Sequence, residues 1–334
     1  MKLNTLLKKT SRSLYLSARI LPDSIRPAFG IAYLLCRYAD TMADTNVLPA
    51  SRRLYWVEKF PQIVRAENLE KQITLFQELS GSCENPYEKT LLLHLEDCLE
   101  GLRRIEPDLK IYIADVVQAV CEGMKLDLQR FPQTKEEGIV ALKTQKELLD
   151  YCRLMGGKPG FFWGQLIERV TPVMLPKEIF FDMGQHIGDA LQIVNILRDL
   201  PRDLRHGRCY IPQEDLEKEK LTTRDLMFTK NSIRFAPIKK YWIHLGREKL
   251  EQAFDFYAAI PKRQWRLRVA VALPIFWTAD TFRKINEAPD LLNPTRRIKI
   301  SKNVIYATLF ASPLFALSNR YFERSLRNKL SFLP

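Results

Sequence analysis

Four polar side chains recur at intervals of three or four residues in the second half of the chain. They are Gln192, Asn195, Asp199 and Asp203, and on an α-helix this spacing places them on one face. Two carboxylates with a carboxamide on one strip form a good oxygen cage for a hard divalent cation such as Mg²⁺. A solvated helix face would show the same spacing. The apolar residues in the gaps favour instead a helix that is buried nearly all round and carries one polar strip; they are Ile187, Leu191, Ile193, Val194, Ile196 and Leu197.

A second strip of the same kind lies near the start of the chain. Tyr33, Arg37, Asp40 and Asp44 are spaced at i, i+4, i+7 and i+11, which again is one helical face. An Arg37–Asp40 salt bridge on a solvated surface would explain part of this pattern, although such a pair contributes only about 0.2–0.5 kcal/mol. The flanking residues are apolar on nearly every other side, so we expect this helix to be buried as well. Two buried helices of this type can face one another and hold several Mg²⁺ ions between them.

The two strips suit the chemistry of a diphosphate leaving group. A diphosphate leaves poorly while its charge is uncompensated, and Mg²⁺ ions stabilise the charge that develops as the C–O bond breaks. Arg37, Arg198 and Arg208 are candidates to hold phosphate oxygens with permanently charged, two-bond forks. The carbocation that remains must be protected from water, which apolar and aromatic helical walls can do.

The composition indicates an all-α protein with an anionic partner. The chain has 334 residues and is 46% apolar, so it can bury a large core. Helical periodicity runs almost throughout, and alternating apolar strands bounded by turn residues hardly occur. The net charge of +13 suits nucleic acid, an anionic membrane surface or a diphosphate substrate. The sequence has no zinc spacing, RNA-binding signature or aromatic-interleaved basic run, so we expect no nucleic-acid partner.

Cysteine usage and the first residues indicate a cytoplasmic location. The six cysteines are scattered without a pairing pattern, which fits a reducing compartment. Residues 1–9 contain basic side chains but lack the apolar core and small-residue cleavage site of a signal peptide. We therefore expect the chain in the cytoplasm, in solution or peripherally on the inner face of the membrane.

An apolar run over residues 303–317 is interrupted by Pro313. It is shorter than the roughly 20 residues that span a bilayer, and basic residues flank it on both sides. We therefore predict a catalytic domain over residues 1–300 and a C-terminal helix within residues 301–334. A helix packed on the domain is the favoured interpretation, and a membrane-interfacial helix is the alternative.

Four segments of the chain carry motifs that belong together. They are Ser11-Arg12-Ser13; Tyr33 to Asp44; Tyr151-Cys152-Arg153-Leu154-Met155-Gly156-Gly157-Lys158-Pro159-Gly160; and Gln192 to Asp203 followed by Gly207-Arg208-Cys209-Tyr210-Ile211-Pro212-Gln213. Their types and order closely resemble the squalene/phytoene synthases, the head-to-head trans-isoprenyl diphosphate synthases, over residues 8–305. The resemblance implies the all-α isoprenoid synthase fold, a helical bundle with a central pocket and the two aspartate helices on opposite walls at its mouth.

The resemblance also implies roles for individual residues. Asp40, Asp44, Asn195 and Asp199 look like Mg²⁺ ligands, with Asp203 completing the second aspartate motif. Tyr151 matches a tyrosine thought to help proton removal in the first half-reaction, and a hydrogen-bonded core tyrosine is the alternative. The expected catalytic residues are Tyr151 and the four aspartates. The expected diphosphate contacts are Ser11, Arg12, Ser13, Tyr33, Arg37, Gln192, Arg198 and Arg208.

The resemblance leaves the product open among several family members. We predict a squalene synthase of bacterial type, which joins two farnesyl diphosphates through presqualene diphosphate with Mg²⁺ and takes a hydride from NADPH. Lys299 and Lys302 lie in a segment similar to the one that eukaryotic squalene synthases use for NADPH, although Ser301 stands where those enzymes have arginine. The alternatives are phytoene, dehydrosqualene, presqualene or hydroxysqualene formation, and a non-catalytic family member that acts as an assembly factor.

Two local features predict irregular backbone. The glycines and proline within residues 156–160 should kink or break the helix that Tyr151 opens and let a backbone approach a ligand. Pro201 lacks a backbone N–H and disfavours helical geometry at the residue before it. The second aspartate motif is therefore expected to bend after Asp199.

Overall fold

The computed structural model describes residues 6–7, 14–45, 48–66, 86–131 and 138–334. These residues are helical almost throughout, which confirms the predicted all-α fold class. The chain divides into two compact units, residues 1–129 and residues 130–334. Within the described ranges, extended structure is limited to a short parallel pair of strands, β1 (Val140–Ala141) and β2 (Arg208–Cys209).

The first unit is built around the helix that carries the first polar strip. Its described helices are α1 (Leu14–Ile20), α2 (Arg26–Asp44), α3 (Ala50–Ala66), α4 (Pro86–Leu93), α5 (Leu95–Arg103) and α6 (Pro107–Arg130). A proline lies in the first turn of α2, where its missing N–H leaves no hydrogen bond unmade. Helix α2 packs on α3 and α5 and buries an apolar face that includes Phe29, Leu35 and Tyr38.

The second unit is built around the longest described helix, which carries the second polar strip. Its elements are α7 (Gln145–Cys152), a π-helical turn (Arg153–Gly157), α8 (Lys158–Val170), α9 (Lys177–Arg205), α10 (Gln213–Lys218), 3₁₀ turns at Asp225–Met227 and Thr229–Asn231, α11 (Ser232–Glu251), α12 (Ala253–Ala259), α13 (Trp265–Glu287), α14 (Lys302–Leu317) and α15 (Asn319–Leu330). Helix α9 packs on α8, α11 and α13. It is therefore covered on several sides, as the apolar residues around the strip predicted.

Helix α9 continues through its internal proline. Pro201 is buried inside the helix, which ends only at Arg205. The N–H of Gly207 then bonds to the carbonyl of Leu204 at 3.1 Å. Gly207 has a φ of 76°, a left-handed conformation that glycine adopts without strain. The second aspartate motif thus lies wholly within helical backbone.

Tyr151 does not open the interrupted helix, and the kink or break predicted at the glycines takes the form of a π-helical turn. Tyr151 lies in the last turn of α7, and the backbone continues through the π-helical turn into α8 without a break. The N–H of Lys158 bonds to the carbonyl of Arg153, five residues earlier, which defines one widened turn. The glycines are accommodated by inserting a residue into the helix, so the hydrogen-bond ladder is rerouted and not interrupted.

The apolar run of residues 303–317 forms helix α14. It packs on α13 and α15 within the second unit. Its buried residues are Thr308, Ser312, Phe315 and Ala316. Within the described ranges, none of the helices combines the length and the apolarity that a membrane span requires.

Candidate active site

Helix α9 places the second polar strip on one half-buried face. Gln192, Asn195, Asp199 and Asp203 are each partly accessible. The apolar residues between them are buried, among them Ile193, Val194, Ile196, Leu197 and Leu200. The strip is therefore a narrow polar line on a helix that is otherwise packed, which is the arrangement that the spacing predicted.

Arg198 and Asp199 form the strongest interaction within this strip. Arg198 donates from Nε to Oδ1 of Asp199 at 2.9 Å and from Nη2 to Oδ2 at 2.5 Å. This hydrogen bond raises the pKa of the Arg198 guanidinium above its usual value, while partial burial acts in the opposite direction. The pair places a fixed positive charge and two carboxylate oxygens at the same point of the helix.

The two carboxamides of the strip are also in contact. Asn195 donates from Nδ2 to Oε1 of Gln192 at 3.5 Å. In this orientation the carbonyl oxygen of Asn195 keeps its capacity to accept a hydrogen bond or bind a cation. Asn195 therefore offers an oxygen one helical turn from the Arg198–Asp199 pair.

Strand β2 positions Arg208 just beyond the end of α9. Its pairing with β1 is fixed by bonds from the N–H of Val140 to the carbonyl of Gly207 and from the N–H of Leu142 to the carbonyl of Cys209, both 3.0 Å. The Arg208 side chain is half-buried. The Arg208 guanidinium thus comes just after the aspartate strip in the sequence and belongs to the same unit.

Tyr151 is part of a buried aromatic group that also contains Tyr210. The Tyr151 hydroxyl donates to the Tyr210 hydroxyl at 3.3 Å, and the two rings stack with centroids 4.8 Å apart. Phe131 packs edge-on against Tyr210 at 5.0 Å. Tyr210 received no role from the sequence, although it stands inside the fourth motif, next to Arg208 and Cys209. Its contact with Tyr151 makes it a further candidate site residue.

The glycines around residue 156 allow helix α9 to approach the π-helical turn backbone to backbone. A Cβ added at Gly156 would lie 2.2 Å from the carbonyl oxygen of Gly188 and 2.8 Å from Cβ of Gln192. A Cβ added at Gly188 would lie 2.0 Å from the carbonyl oxygen of Gly156. The backbone that these glycines admit is therefore the backbone of another helix, where the sequence predicted the approach of a ligand. The contact fixes Gln192 against the π-helical turn.

A buried ion cluster lies beside the same contact. Asp189 is only 1% exposed, and its Oδ2 accepts from Lys249 Nζ at 3.0 Å and from Arg153 Nη2 at 3.4 Å. A buried carboxylate is stable only when it is compensated in this way. The sequence prediction omitted Asp189, although it precedes Gln192 by three residues and so extends the same helical spacing.

In the first unit, helix α2 places Tyr33, Arg37 and Asp40 on a half-buried face. Arg37 donates to Asp40 and forms the ion pair that the spacing allowed. The expectation that the whole strip is buried is wrong at Asp44, whose side chain is exposed. The reason is positional, because Asp44 is the last residue of α2 and no further turn of helix covers it.

The other predicted site residues are divided between exposed and undescribed positions. Ser11, Arg12 and Ser13 lie outside the described residues. Lys299 and Lys302 are both exposed in the second unit, and the carbonyl of Lys299 accepts from Lys284 Nζ at 2.8 Å. Across the described ranges, no three His, Cys, Asp or Glu side chains form a group that could hold a metal ion by themselves. A bound metal ion would therefore need oxygen ligands from Asn195 and from the substrate in addition to the carboxylates.

A comparison with protein families matches the model described as squalene/phytoene synthase over residues 7–303. Two curated relatives are a bifunctional lycopene cyclase/phytoene synthase from Pyrenophora tritici-repentis and phytoene synthase 1 of Solanum lycopersicum. The first is 26% identical over 79% of this chain and 43% of its own length. The second is 28% identical over 54% of this chain and 41% of its own length. The chain thus spans less than half the length of these relatives.

Solved structures share the fold. A complex of the squalene synthase TcSQS with the ligand E5700 superposes with a TM-score of 0.82 at 17% identity, covering 98% of this chain and 90% of that one. The squalene synthase HpnC from Alicyclobacillus acidocaldarius has a TM-score of 0.62 at 17% identity, covering 86% of this chain and 92% of that one. The chain therefore has the all-α isoprenoid synthase fold.

Proposed function

Because the chain belongs to the squalene/phytoene synthase family, we propose that it joins two farnesyl diphosphates head to head, through presqualene diphosphate, to form squalene. The observation that carries this proposal is the strip on α9, where Arg198 binds Asp199 beside Asn195 and Asp203. Such a strip offers oxygen ligands for a metal ion and positive charge for a diphosphate. A protein that catalysed nothing would have no use for this costly arrangement of half-buried charges.

The donor atoms of both strips fit Mg²⁺. The side chains of Asp40 and Asp199 are 32% and 36% exposed, and each already binds one cationic guanidinium. The same carboxylate oxygens suit a hard metal ion. Asp44 and Asn195 are the further proposed ligands, and Asp203 completes the second motif. When bound, Mg²⁺ would supply Lewis-acid stabilisation of the departing diphosphate.

Arg37 and Arg198 would then exchange partners. A carboxylate that held the metal would release its guanidinium, which would become available to diphosphate oxygens while staying charged. Arg208 is the third proposed guanidinium, and Tyr33 and Gln192 are proposed hydrogen-bond donors to the same group. Ser11, Arg12 and Ser13 complete the proposed set of diphosphate contacts.

Tyr151 is proposed to move a proton in the first half-reaction. Its hydroxyl oxygen would take a proton from the substrate while its own proton passes to an oxygen of the departing diphosphate, and its hydrogen bond to Tyr210 orients the hydroxyl in a buried site. Phe131 covers the other side of this pair. Apolar surroundings of this kind keep water away from a carbocation.

The second half-reaction sets the choice of product. Squalene formation requires a hydride, for which NADPH is the proposed donor and exposed Lys299 and Lys302 the proposed contacts. Phytoene formation from two geranylgeranyl diphosphates is the second candidate, because the curated relatives described above are phytoene synthases. Peripheral attachment to a membrane would let either apolar product pass from the protein into the bilayer.

The purified chain should be incubated with Mg²⁺ and either farnesyl or geranylgeranyl diphosphate, with and without NADPH, and the products identified by mass spectrometry. The proposal predicts squalene from farnesyl diphosphate when NADPH is present and presqualene diphosphate when it is absent. Phytoene from geranylgeranyl diphosphate, with no product from farnesyl diphosphate, would overturn the squalene assignment. Release of no diphosphate from either substrate would overturn the enzymatic assignment itself.

A further inference from the structure

Helix α14 is apolar on the face that it turns to solvent as well as on part of the face that it buries. Its buried residues include Thr308 and Ser312, whose hydroxyls bond to carbonyls of their own helix. Beyond Lys302 and Asn303 in its first turn, its exposed side chains are apolar or aromatic, and four of them are large. We call them the apolar stripe: Tyr306, Phe310, Leu314 and Leu317, which are 56%, 83%, 50% and 66% exposed. Their spacing of four, four and three residues places them on one face.

The stripe is held outward by a buried arginine. Arg268 on α13 is fully buried, and it donates from Nε to the carbonyl of Ala316 at 2.9 Å and from Nη2 to that of Phe315 at 3.4 Å. The Phe315 ring stacks on Phe276 with centroids 4.3 Å apart. These contacts fix the rotation of α14 about its axis. Turning the apolar stripe inward would break both of these bonds from the buried guanidinium, which also donates to the carbonyls of Tyr257 and Ile260 and to Asn319.

The length of α14 excludes a membrane span but suits a position in the plane of a membrane surface. Its 16 residues correspond to about 24 Å at about 1.5 Å per residue, whereas a bilayer core is about 30 Å thick. A helix that packs on its domain with one side can lie in the interface with its exposed apolar side among the acyl chains. Tyr306 has the aromatic and polar character that interfacial side chains share.

The charge around the stripe identifies the partner. Residues 291–322 contain five Lys or Arg and no Asp or Glu. Three of the five precede α14, among them exposed Arg297; exposed Lys302 is its first residue, and exposed Arg320 follows it. Contact with a second copy through the stripe would bring two such basic sets together, which electrostatic repulsion opposes. An anionic surface is complementary to them.

We infer that the apolar stripe and its basic flanks dock the protein on a bilayer that contains anionic phospholipid. The stripe enters the boundary between headgroups and acyl chains, and the basic side chains bind the lipid phosphates. This docking is independent of the proposed reaction, because no proposed catalytic residue lies on α14.

The test is flotation of the 334-residue chain with vesicles of phosphatidylcholine alone and of phosphatidylcholine mixed with phosphatidylglycerol. Phe310→Ser is the test variant. Ile233→Ser on α11 is the matched control, because Ile233 is also apolar and also 83% exposed. Phe310→Ser should weaken binding to the mixed vesicles about tenfold or more, as expected when one large apolar side chain no longer enters the bilayer. The control should bind as the wild type does.

A second variant separates charge from apolar contact. Arg320→Glu should reduce the preference for mixed vesicles and its sensitivity to salt while leaving the melting temperature unchanged. Equal binding by Phe310→Ser and Ile233→Ser would overturn the inference, as would a wild type that binds neither vesicle. If light scattering shows that Phe310→Ser dissociates a dimer while vesicle binding is unchanged, the stripe belongs to a second copy and the inference is wrong.

Discussion

Arg198 binds its own neighbour in the sequence, Asp199, through two hydrogen bonds of 2.9 and 2.5 Å. Adjacent residues on a helix point in different directions, so both side chains must bend towards each other to form this fork. In the first unit Arg37 binds Asp40, three residues later, in a similar ion pair. In each strip a guanidinium thus holds the carboxylate that is proposed as a metal ligand. The arginines and the metal are expected to compete for the same oxygens.

The two-bond contact between Arg198 and Asp199 predicts that replacing Arg198 by lysine raises the KM for the substrate. Arg198→Lys keeps the charge but cannot form two parallel bonds to a diphosphate or a carboxylate. We expect the KM for prenyl diphosphate to rise about tenfold or more, since a charged hydrogen bond contributes about 1.5–3 kcal/mol. The control is Arg205→Lys at the exposed end of the same helix, where Arg205 bonds the carbonyl of Pro294. Equal KM values for the two variants would remove Arg198 from the diphosphate site.

The Tyr151–Tyr210 contact predicts a difference between the two half-reactions. Tyr151→Phe should slow turnover of farnesyl diphosphate by about 10²–10⁴-fold, the usual contribution of a positioned acid or base. Conversion of supplied presqualene diphosphate, measured with NADPH present, should be retained. Tyr210→Phe removes the hydroxyl partner but not the proposed proton carrier, so it should cause a smaller loss. If Tyr151→Phe slows both half-reactions alike and only slightly, Tyr151 is a structural hydrogen-bond donor.

The contact between Gly156 and Gly188 predicts a strong effect of adding one methyl group. In Gly188→Ala the new Cβ would meet the Gly156 carbonyl oxygen at 2.0 Å, so α9 must move away from the π-helical turn. We expect a loss of about 1–3 kcal/mol in the free energy of unfolding, the usual range for overpacking. Gly30→Ala is the control, because the nearest atom to its new Cβ is 3.6 Å away. That variant should be neutral or stabilised by about 0.5–1 kcal/mol, since alanine favours a helix over glycine. Thermal and urea unfolding measure both.

Some of these structural features can be predicted from the sequence and others cannot. The strip on α9 follows from periodicity, because Gln192, Asn195, Asp199 and Asp203 share a face of any regular helix. The π-helical turn does not follow, since periodicity over residues 153–157 is compatible with an ordinary turn. The pairing of Gly156 with Gly188 depends on which helices become neighbours, and one sequence does not specify that.

The faces of α14 also required the structure. Its residues are apolar enough for a core helix, which was the favoured interpretation. Arg268 determines which face turns inward, because it donates to the carbonyls of Phe315 and Ala316 near the end of the helix. Arg268 lies on another helix, 34 residues before α14 begins, so the sequence of α14 alone does not show this contact. Asp44 shows the same limitation, because its exposure depends on where α2 ends.

The buried thiol of Cys209 predicts part of the alkaline pH dependence of stability. Burial raises the pKa of this thiol from 9.0 to about 12. The folded state therefore keeps a proton that the unfolded state loses, so the associated stability is complete below pH 9 and is lost as the pH rises towards 12. Cys209→Ala and Cys209→Ser should both show a shallower decline in the free energy of unfolding over this range than the wild type. Parallel declines in all three proteins would contradict the shift.

The most direct test of the central claim is the Mg²⁺ dependence of diphosphate release from farnesyl diphosphate by Asp40→Asn and Asp199→Asn. Asp182→Asn is the control, because Asp182 is an exposed carboxylate on α9 outside the strip. Each strip is predicted to bind Mg²⁺ that stabilises the leaving diphosphate, so each strip variant should lose about 100-fold or more in rate at limiting Mg²⁺. Asp182→Asn should keep the wild-type rate, and all three should keep the wild-type circular dichroism. Wild-type rates at limiting Mg²⁺ in either strip variant would contradict the assignment of the aspartate strips to metal and diphosphate.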